Sequence, residues 1–584
     1  VEAIGGTSTH NTIKENNMIG YFKQNRDFLR RTVITVVLGV FLSGCPFGPL
    51  GVRELDNIRE DTTLKAGTYI AKKNISVTNG ATLTLLPGVK IVFEADRTMS
   101  VEGDASLNAV GTEKKPILFT GVESSRGFWG GLRLYNTNSS NNQLEYVTIE
   151  YGGGYYDGNL LLYGSSSNPA RAAVNHCTFR QSAQYGFASG GTVVIDGFEE
   201  NTLTENSAGA ASLDADHVGF LSDTSAFSGN DADIVSVPSG NINSDAVWPG
   251  IDADYAIATG VSVHAALTIE AGAVLAFAAG KTMSVESSGS LTAAGTEEAP
   301  VFFTGAEETP GYWGGLRFYN SNNTVNALSH AVFEYAGGYW NANVYVTGSS
   351  SVPSRVAMDN CTFRFSKEYG LSTSGNVIIS SFVGNVLTEN TAGAARVDAG
   401  HVGFLDASSS FRGNQVDVVH IASGNVDTDA VWRGIDAPYL VDTGVGVYAA
   451  LTIEPGAALA FAAGRTMSVE SSGSLAAVGT NEAPVFFTGA EEIPGYWGGL
   501  RFYNSNTQAN VLTHCVFEYG GGYWDGNLYI TGSSANPARV AVTACAFENS
   551  LKWGISLAGT VDVNDDIATA NTFANNAGGD IRGL

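Results

Sequence analysis

Beyond residue 61 the hydrophobicity of the chain is broken into short pieces. Apolar and polar residues alternate in bursts of three to six, as in Leu83-Thr84-Leu85, Val89-Lys90-Ile91, Leu132-Arg133-Leu134 and Val147-Thr148-Ile149. Gly, Asn, Ser and Asp separate the bursts, so each reads as a short strand with one buried face, closed by a turn. After Cys45 no segment keeps an i, i+3, i+4, i+7 apolar stripe for three turns. The pattern predicts an all-β protein.

The bursts recur. Gly127-Phe128-Trp129-Gly130-Gly131-Leu132 returns as Gly311-Tyr312-Trp313-Gly314-Gly315-Leu316 and as Gly495-Tyr496-Trp497-Gly498-Gly499-Leu500, each 184 residues on. The same offset links Met99, Met283 and Met467, and Cys177, Cys361 and Cys545. Three tandem units follow, at 61–244, 245–428 and 429–584, with no Pro-, Ser- or charge-rich hinge between them. In the third, Phe573 matches Phe411 at an offset of 162, so that unit has lost 22 residues. A shorter period lies inside: Leu144, Val147 and Ile149 match Val174, Cys177 and Phe179 at a spacing of 30. That spacing suits one coil of a three-stranded parallel solenoid, whereas propeller blades repeat at about 40 to 50 residues. With rungs about 4.8 Å apart and roughly 22 to 30 residues per coil, the rod would have about 17 to 23 coils and measure about 80 to 110 Å.

The run DAVWRGIDAPYLVDTGVGVYAALTIEPGAALAF, followed by SLAAVGTNEAPVFFTG, GYWGGLRFYN and VLTHCVFEYGGG, resembles the right-handed parallel β-helix proteins of bacterial surfaces, relatives in fold of the pectate lyases. The resemblance spans roughly residues 60 to 584. It implies a right-handed parallel β-helix built from the three units as one continuous solenoid. It does not imply a chemistry, because that fold carries lyases, hydrolases, adhesins and proteins without known activity.

Charge narrows the partners. Lys and Arg number 31 against 57 Asp and Glu, a net −26. Removing the five basic and three acidic residues before residue 46 leaves 26 against 54. Such a surface excludes a sequence-independent grip on nucleic acid, and leaves a lipid anchor as the means of membrane attachment. The N-terminal segment reads as an address. From Met18 a basic stretch with Lys23, Arg26, Arg30 and Arg31 leads into the apolar run Thr32 to Leu42. This is the layout of a secretory signal over 18–44, and the run is too short to span a bilayer. Leu42-Ser43-Gly44-Cys45 resembles the lipobox of bacterial lipoproteins, which implies lipidation of Cys45 and, since Pro46 and not Asp follows, an outer-membrane or cell-surface destination. Residues 1–17 read as an over-extended start and 45–60 as a linker.

Candidate chemistry is sparse. Five cysteines with no C-x-x-C or H-E-x-x-H spacing offer neither a disulfide framework nor a metal site, and no cofactor motif stands. Ala279-Gly280-Lys281-Thr282 lacks the upstream glycine of a phosphate loop, with Leu275 in its place. His217 and His401, beside Asp214 and Asp216 or Asp398, could form a twofold metal or acid/base site or sit in turns of a coil. Glu150, Glu334 and Glu518, with Arg133, Arg317 and Arg501, are candidate outward residues. The 30-residue spacing sets Glu150 beside Arg180 and Glu334 beside Arg364 as exposed ion pairs, and Glu518 opposite Glu548. The same spacing stacks Cys515 on Cys545, expected as two reduced, buried thiols.

Most informative are three aromatic loops: Tyr155-Tyr156-Asp157, Tyr339-Trp340-Asn341 and Tyr523-Trp524-Asp525, each preceded by two or three glycines. Two successive aromatics cannot both enter a core of period two, so at least one is exposed or packs on a neighbouring loop. Flat rings beside polar side chains suit a polysaccharide or surface glycan. If the loops project, they should do so from similar azimuths about 30 to 40 Å apart. The sequence thus points to a lipid-anchored surface rod, an adhesin or glycan binder without enzymatic activity. Its alternatives are a polysaccharide lyase or glycoside hydrolase on the same scaffold, with no identifiable catalytic residue, and a purely structural surface or matrix component.

Overall fold

A computed structural model describes residues 52–584; Cys45 and the expected signal segment, 18–44, lie outside them. The alternating bursts form strands of two to seven residues, and these stack into seven sheets whose strand ladders are parallel. Alternation puts every second side chain inward, where one continuous apolar core runs from Leu55 to Ile567. Phe303, Phe333 and Phe363 stack rung upon rung at centroid distances of 4.7 and 5.3 Å, and Phe487, Phe517 and Phe547 repeat this at 4.7 and 4.9 Å. This is the architecture of a parallel β-solenoid.

Residues 30 apart occupy neighbouring rungs, as the spacing predicts: Leu144 pairs with Val174, Ile149 with Phe179 and Val516 with Ala546. Cys515 and Cys545 are free, buried thiols one rung apart, and the Cys515 amide donates to Cys545 Sγ at 3.4 Å.

Three sheets enclose the first part of the rod. Seven strands from Arg53–Glu54 to Thr202–Thr204 form one, six from Thr62–Leu64 to Val193–Gly197 another, and the third begins at Ile75–Val77. This third sheet does not stop with the first repeat. Its strand Gly209–Ser212 pairs with Ile234–Val237, and the sheet continues through Asp254–Ile257 to Val386–Thr388, thirteen strands in all. Within it the chain changes role. In the first repeat this sheet receives the second strand of each coil, such as Gly131–Tyr135; in the second repeat it receives the first, such as Ala331–Glu334. The shift recurs where Gly393–Asp398 pairs with Val419–Ser423, inside a fourteen-stranded sheet running from Asn241–Ile242 to Thr572–Ala574.

At each shift a 3₁₀ segment, Ala215–Phe220 or Ala399–Phe404, replaces a strand. There the two expected histidine sites lie. His217 is buried, its Nδ1 3.1 Å from Ser189 Oγ; His401 Nδ1 is 2.9 Å from Thr373 Oγ1. Asp216 accepts from the Asn243 and Ser244 amides at 2.9 and 3.1 Å, and Asp214 from Ser239 Oγ at 2.7 Å. The carboxylates therefore tie the 3₁₀ segment to the next rung. Burial depresses the pKa of both imidazoles, against the opposing pull of Asp214 and Asp216 or of Asp398. These residues form a joint.

Candidate functional site

Each aromatic loop leaves the first strand of a coil and returns as the second. Tyr151, Tyr335 and Tyr519 end the first strand at φ 61°, 62° and 60°, a left-handed conformation unusual for an aromatic residue, which swings the backbone out of the coil. Two residues later Gly153, Gly337 and Gly521 also have positive φ, and at Gly153 a Cβ would fall 2.3 Å from Ser182 Oγ. The loop is pinned from below by a buried asparagine. Asn159 Oδ1 accepts from the Gly152 amide at 2.9 Å while its Nδ2 donates to the Ile149 and Arg180 carbonyls at 3.0 and 2.9 Å. Asn343 and Asn527 do the same. Sequence reading missed these asparagines, although an Asn before an apolar residue, repeating every 184 positions, is a detectable signal.

Beside the loop, Trp129, Trp313 and Trp497 are fully buried, stack on Phe93, Phe277 and Phe461 at 4.1 to 4.3 Å, and donate from the indole to the carbonyls of Glu150, Glu334 and Glu518. The loop lies over this tryptophan segment, with Gly154 N donating to the Trp129 carbonyl at 3.0 Å and Tyr156 N to that of Gly130 at 2.9 Å.

The two aromatics divide as alternation requires. The first is exposed: Tyr155 by 76%, Tyr339 by 65% and Tyr523 by 66%. The second folds back. Tyr156 is buried, and Trp340 and Trp524 are half-buried. The second ring meets the first edge-on, with centroids 5.2, 4.4 and 4.5 Å apart, and so holds it in place. Beneath it lies a guanidinium: Arg133 over Tyr156 at 5.1 Å, Arg317 over Trp340 at 4.5 Å and Arg501 over Trp524 at 4.4 Å. Each arginine is also paired with a carboxylate, Glu102, Glu286 or Glu470, at 3.1, 3.1 and 2.8 Å. Asp157 and Asn341 are exposed beside the tip, and Asp525 is half-exposed, paired with Lys552 and Arg582. Further exposed tyrosines, Tyr163, Tyr319 and Tyr503, stand on the adjoining strands.

The expectation of similar azimuths is overturned by the sheet shift. The first loop precedes Gly158–Gly164, a strand of the thirteen-stranded sheet; the second follows Ala331–Glu334, a strand of that same sheet. Parallel strands all point one way, so the two loops stand at opposite edges of one sheet. The third loop is displaced likewise across the fourteen-stranded sheet, after Cys515–Glu518, while the second precedes Ala342–Gly348.

The carboxylate row also needs correction. Glu150 and Glu334 are buried, not exposed on the surface. Each accepts from a threonine hydroxyl on the rung below, Thr120 or Thr304, at 2.9 Å and from Arg180 or Arg364 on the rung above at 2.6 Å. In the third repeat Glu518 faces Glu548 in register, and its pKa is raised, chiefly by burial and then by Glu548. Among the described residues no group of three or more His, Cys, Asp and Glu could hold a metal ion, and no helix is long and apolar enough to cross a membrane.

In comparison with known families, residues 56–167 match the family described as a pectate-lyase like beta helix domain. No curated protein and no solved structure matches the chain.

Proposed function

We propose that this chain is a secreted bacterial surface rod, a right-handed parallel β-helix of three 184-residue units, that binds glycans through its aromatic corners and is anchored by lipid at Cys45. The observation that carries the reading is the threefold recurrence of one exposed tyrosine, braced edge-on by a second ring over a paired arginine. A ring fixed before binding loses little side-chain entropy on contact and offers its face to sugar C–H groups. The right-handed winding is supported by the strong handedness preference of parallel strand connections.

The test is affinity electrophoresis through gels containing hydroxyethylcellulose, arabinoxylan, galactomannan or polygalacturonate. Retardation in at least one neutral gel, lost in the triple variant Tyr155→Ala, Tyr339→Ala, Tyr523→Ala, is expected. Unaltered mobility in every gel would refute it. The anchor is tested by Cys45→Ala, which should move the protein from the membrane to the soluble fraction.

A second reading, a polysaccharide hydrolase, draws support from Glu518 alone, a carboxyl whose pKa is raised by burial and by a second carboxyl one rung away. New reducing ends from those polymers, abolished by Glu518→Gln, would establish it in place of the first.

A further inference from the structure

We infer that the three tyrosine corners hold three separate strands of an uncharged polysaccharide, so that the rod cross-links polymer instead of lying along one chain. This rests on the glycan-binding reading above and adds to it the number and charge of the partners.

The argument is geometric. Along the thirteen-stranded sheet, Ala331–Glu334 lies seven rungs from Gly158–Gly164, which places the second loop roughly 34 Å from the first along the axis at about 4.8 Å per rung. The two loops stand at opposite edges of that sheet, so the second is also displaced sideways by a strand length, roughly 15 to 20 Å. Seven rungs of the fourteen-stranded sheet separate Ala342–Gly348 from Cys515–Glu518 and repeat both displacements for the third loop. The corners therefore climb around the rod. A stiff polymer running straight along one side meets one tyrosine and passes the other two, whereas polymers arriving from different sides each find their own.

Charge selects the class of polymer. The guanidinium beneath each corner is already paired with Glu102, Glu286 or Glu470. Asp157 adds an exposed carboxylate at the first corner, and Lys552 and Arg582 at the third are both engaged by Asp525. An anionic chain would meet repulsion from the 54 acidic residues beyond position 45. A neutral chain binds by ring stacking and hydroxyl hydrogen bonds, and meets no such barrier.

The experiment separates binding from bridging. Cellohexaose, xylohexaose and mannohexaose, each too short to reach two corners, are titrated calorimetrically; their parent polymers, hydroxyethylcellulose, arabinoxylan and galactomannan, are then mixed with the protein under static light scattering. The expected result is three equivalent sites per rod for one hexasaccharide, and scattering with its parent polymer that rises and then falls as the protein-to-polymer ratio increases. The double variant Tyr339→Ala, Tyr523→Ala should bind one hexasaccharide with unchanged affinity and produce no scattering. Three hexasaccharide sites, together with a polymer affinity a hundredfold or more higher in a non-scattering complex, would show one chain spanning the corners and overturn the inference while sparing the glycan reading. Absence of hexasaccharide binding would overturn both.

Discussion

The second and third repeats place the same glutamate on the same rung and surround it differently. Glu334 is held by Thr304 and by the Arg364 guanidinium at 2.6 Å, whereas Glu518 meets Thr488 at 3.4 Å and Glu548 in place of the arginine. Backbone register and the underlying tryptophan are alike in both. In a solenoid, then, the rung fixes where a carboxyl sits, and the neighbouring rung decides whether it meets a cation or a second carboxyl. The first two repeats set an arginine beside the carboxyl; the third sets a second carboxyl there, and the pKa of Glu518 is raised, chiefly by burial and then by Glu548. Val147, Ala331 and Cys515 occupy another shared position, each one rung below Cys177, Cys361 or Cys545, so the third repeat differs there too.

The largest effect should come from breaking the satisfied pair. Arg364→Ala leaves Glu334 buried beside an empty rung and should cost about 2–3 kcal/mol, less than for a fully buried pair because the arginine is partly exposed. Urea unfolding followed by hydrogen exchange in Ala331–Glu334 would read it. Next, Glu548→Arg gives the third repeat the partner it lacks and should stabilise it by about 1 kcal/mol, seen as a higher melting temperature at pH 7.

The pH response sharpens the same contrast, with opposite signs in two places. The raised pKa of Glu518 means the folded state holds a proton that the unfolded state releases. The contribution of this group is thus fully present below the unfolded value near 4.5 and is lost as pH rises through the folded value. His217 and His401 have depressed pKa values. Their contribution is present above the unfolded value near 6.5 and is lost as pH falls through the folded one. Protection of the third repeat should therefore weaken from pH 4.5 upward, and protection of the two joints from pH 6.5 downward. Glu518→Gln should flatten the first response only. The smallest effect concerns the thiols. Burial pushes Cys177 and Cys361 up to about 12, so neither should react with a thiol reagent at pH 8 before unfolding. Cys515→Ala, which copies the second repeat, should change stability by less than about 1 kcal/mol.

How much of this was legible in the sequence depends on the scale of the feature. Strand positions and the 30-residue rung spacing follow from alternation, because a one-residue slip would turn the whole apolar row outward. The joint was not legible. Leu213 to Leu221 reads as one more polar turn carrying a histidine, and nothing in it shows that Gly209–Ser212 will pair with Ile234–Val237 and hand the sheet to strands of another role. Identical repeats were therefore assumed to stack in identical orientation. The loops were half legible. Two adjacent aromatics had to diverge, but which ring goes in depends on the left-handed turn at Tyr151 and on the asparagine anchor, neither of which has a period-two signature. The burial of Glu150 was hidden for a similar reason: its shield is assembled from Thr120 and Arg180, each 30 residues away.

The two long sheets overlap like courses of brickwork. One runs from Ile75 to Thr388 and the other from Asn241 to Ala574, so the middle repeat is mortared into both neighbours and no straight cut passes between bricks. A fragment trimmed at residue 244 would sever the thirteen-stranded sheet beyond Ile234–Val237 and bare a fresh strand edge, the template on which chains aggregate. Pulled along its axis, such a wall carries its load at each joint through the one sheet that crosses it, because the other two strand ladders end there. The unit that evolution can duplicate in sequence is thus different from the unit that can be removed from the folded rod.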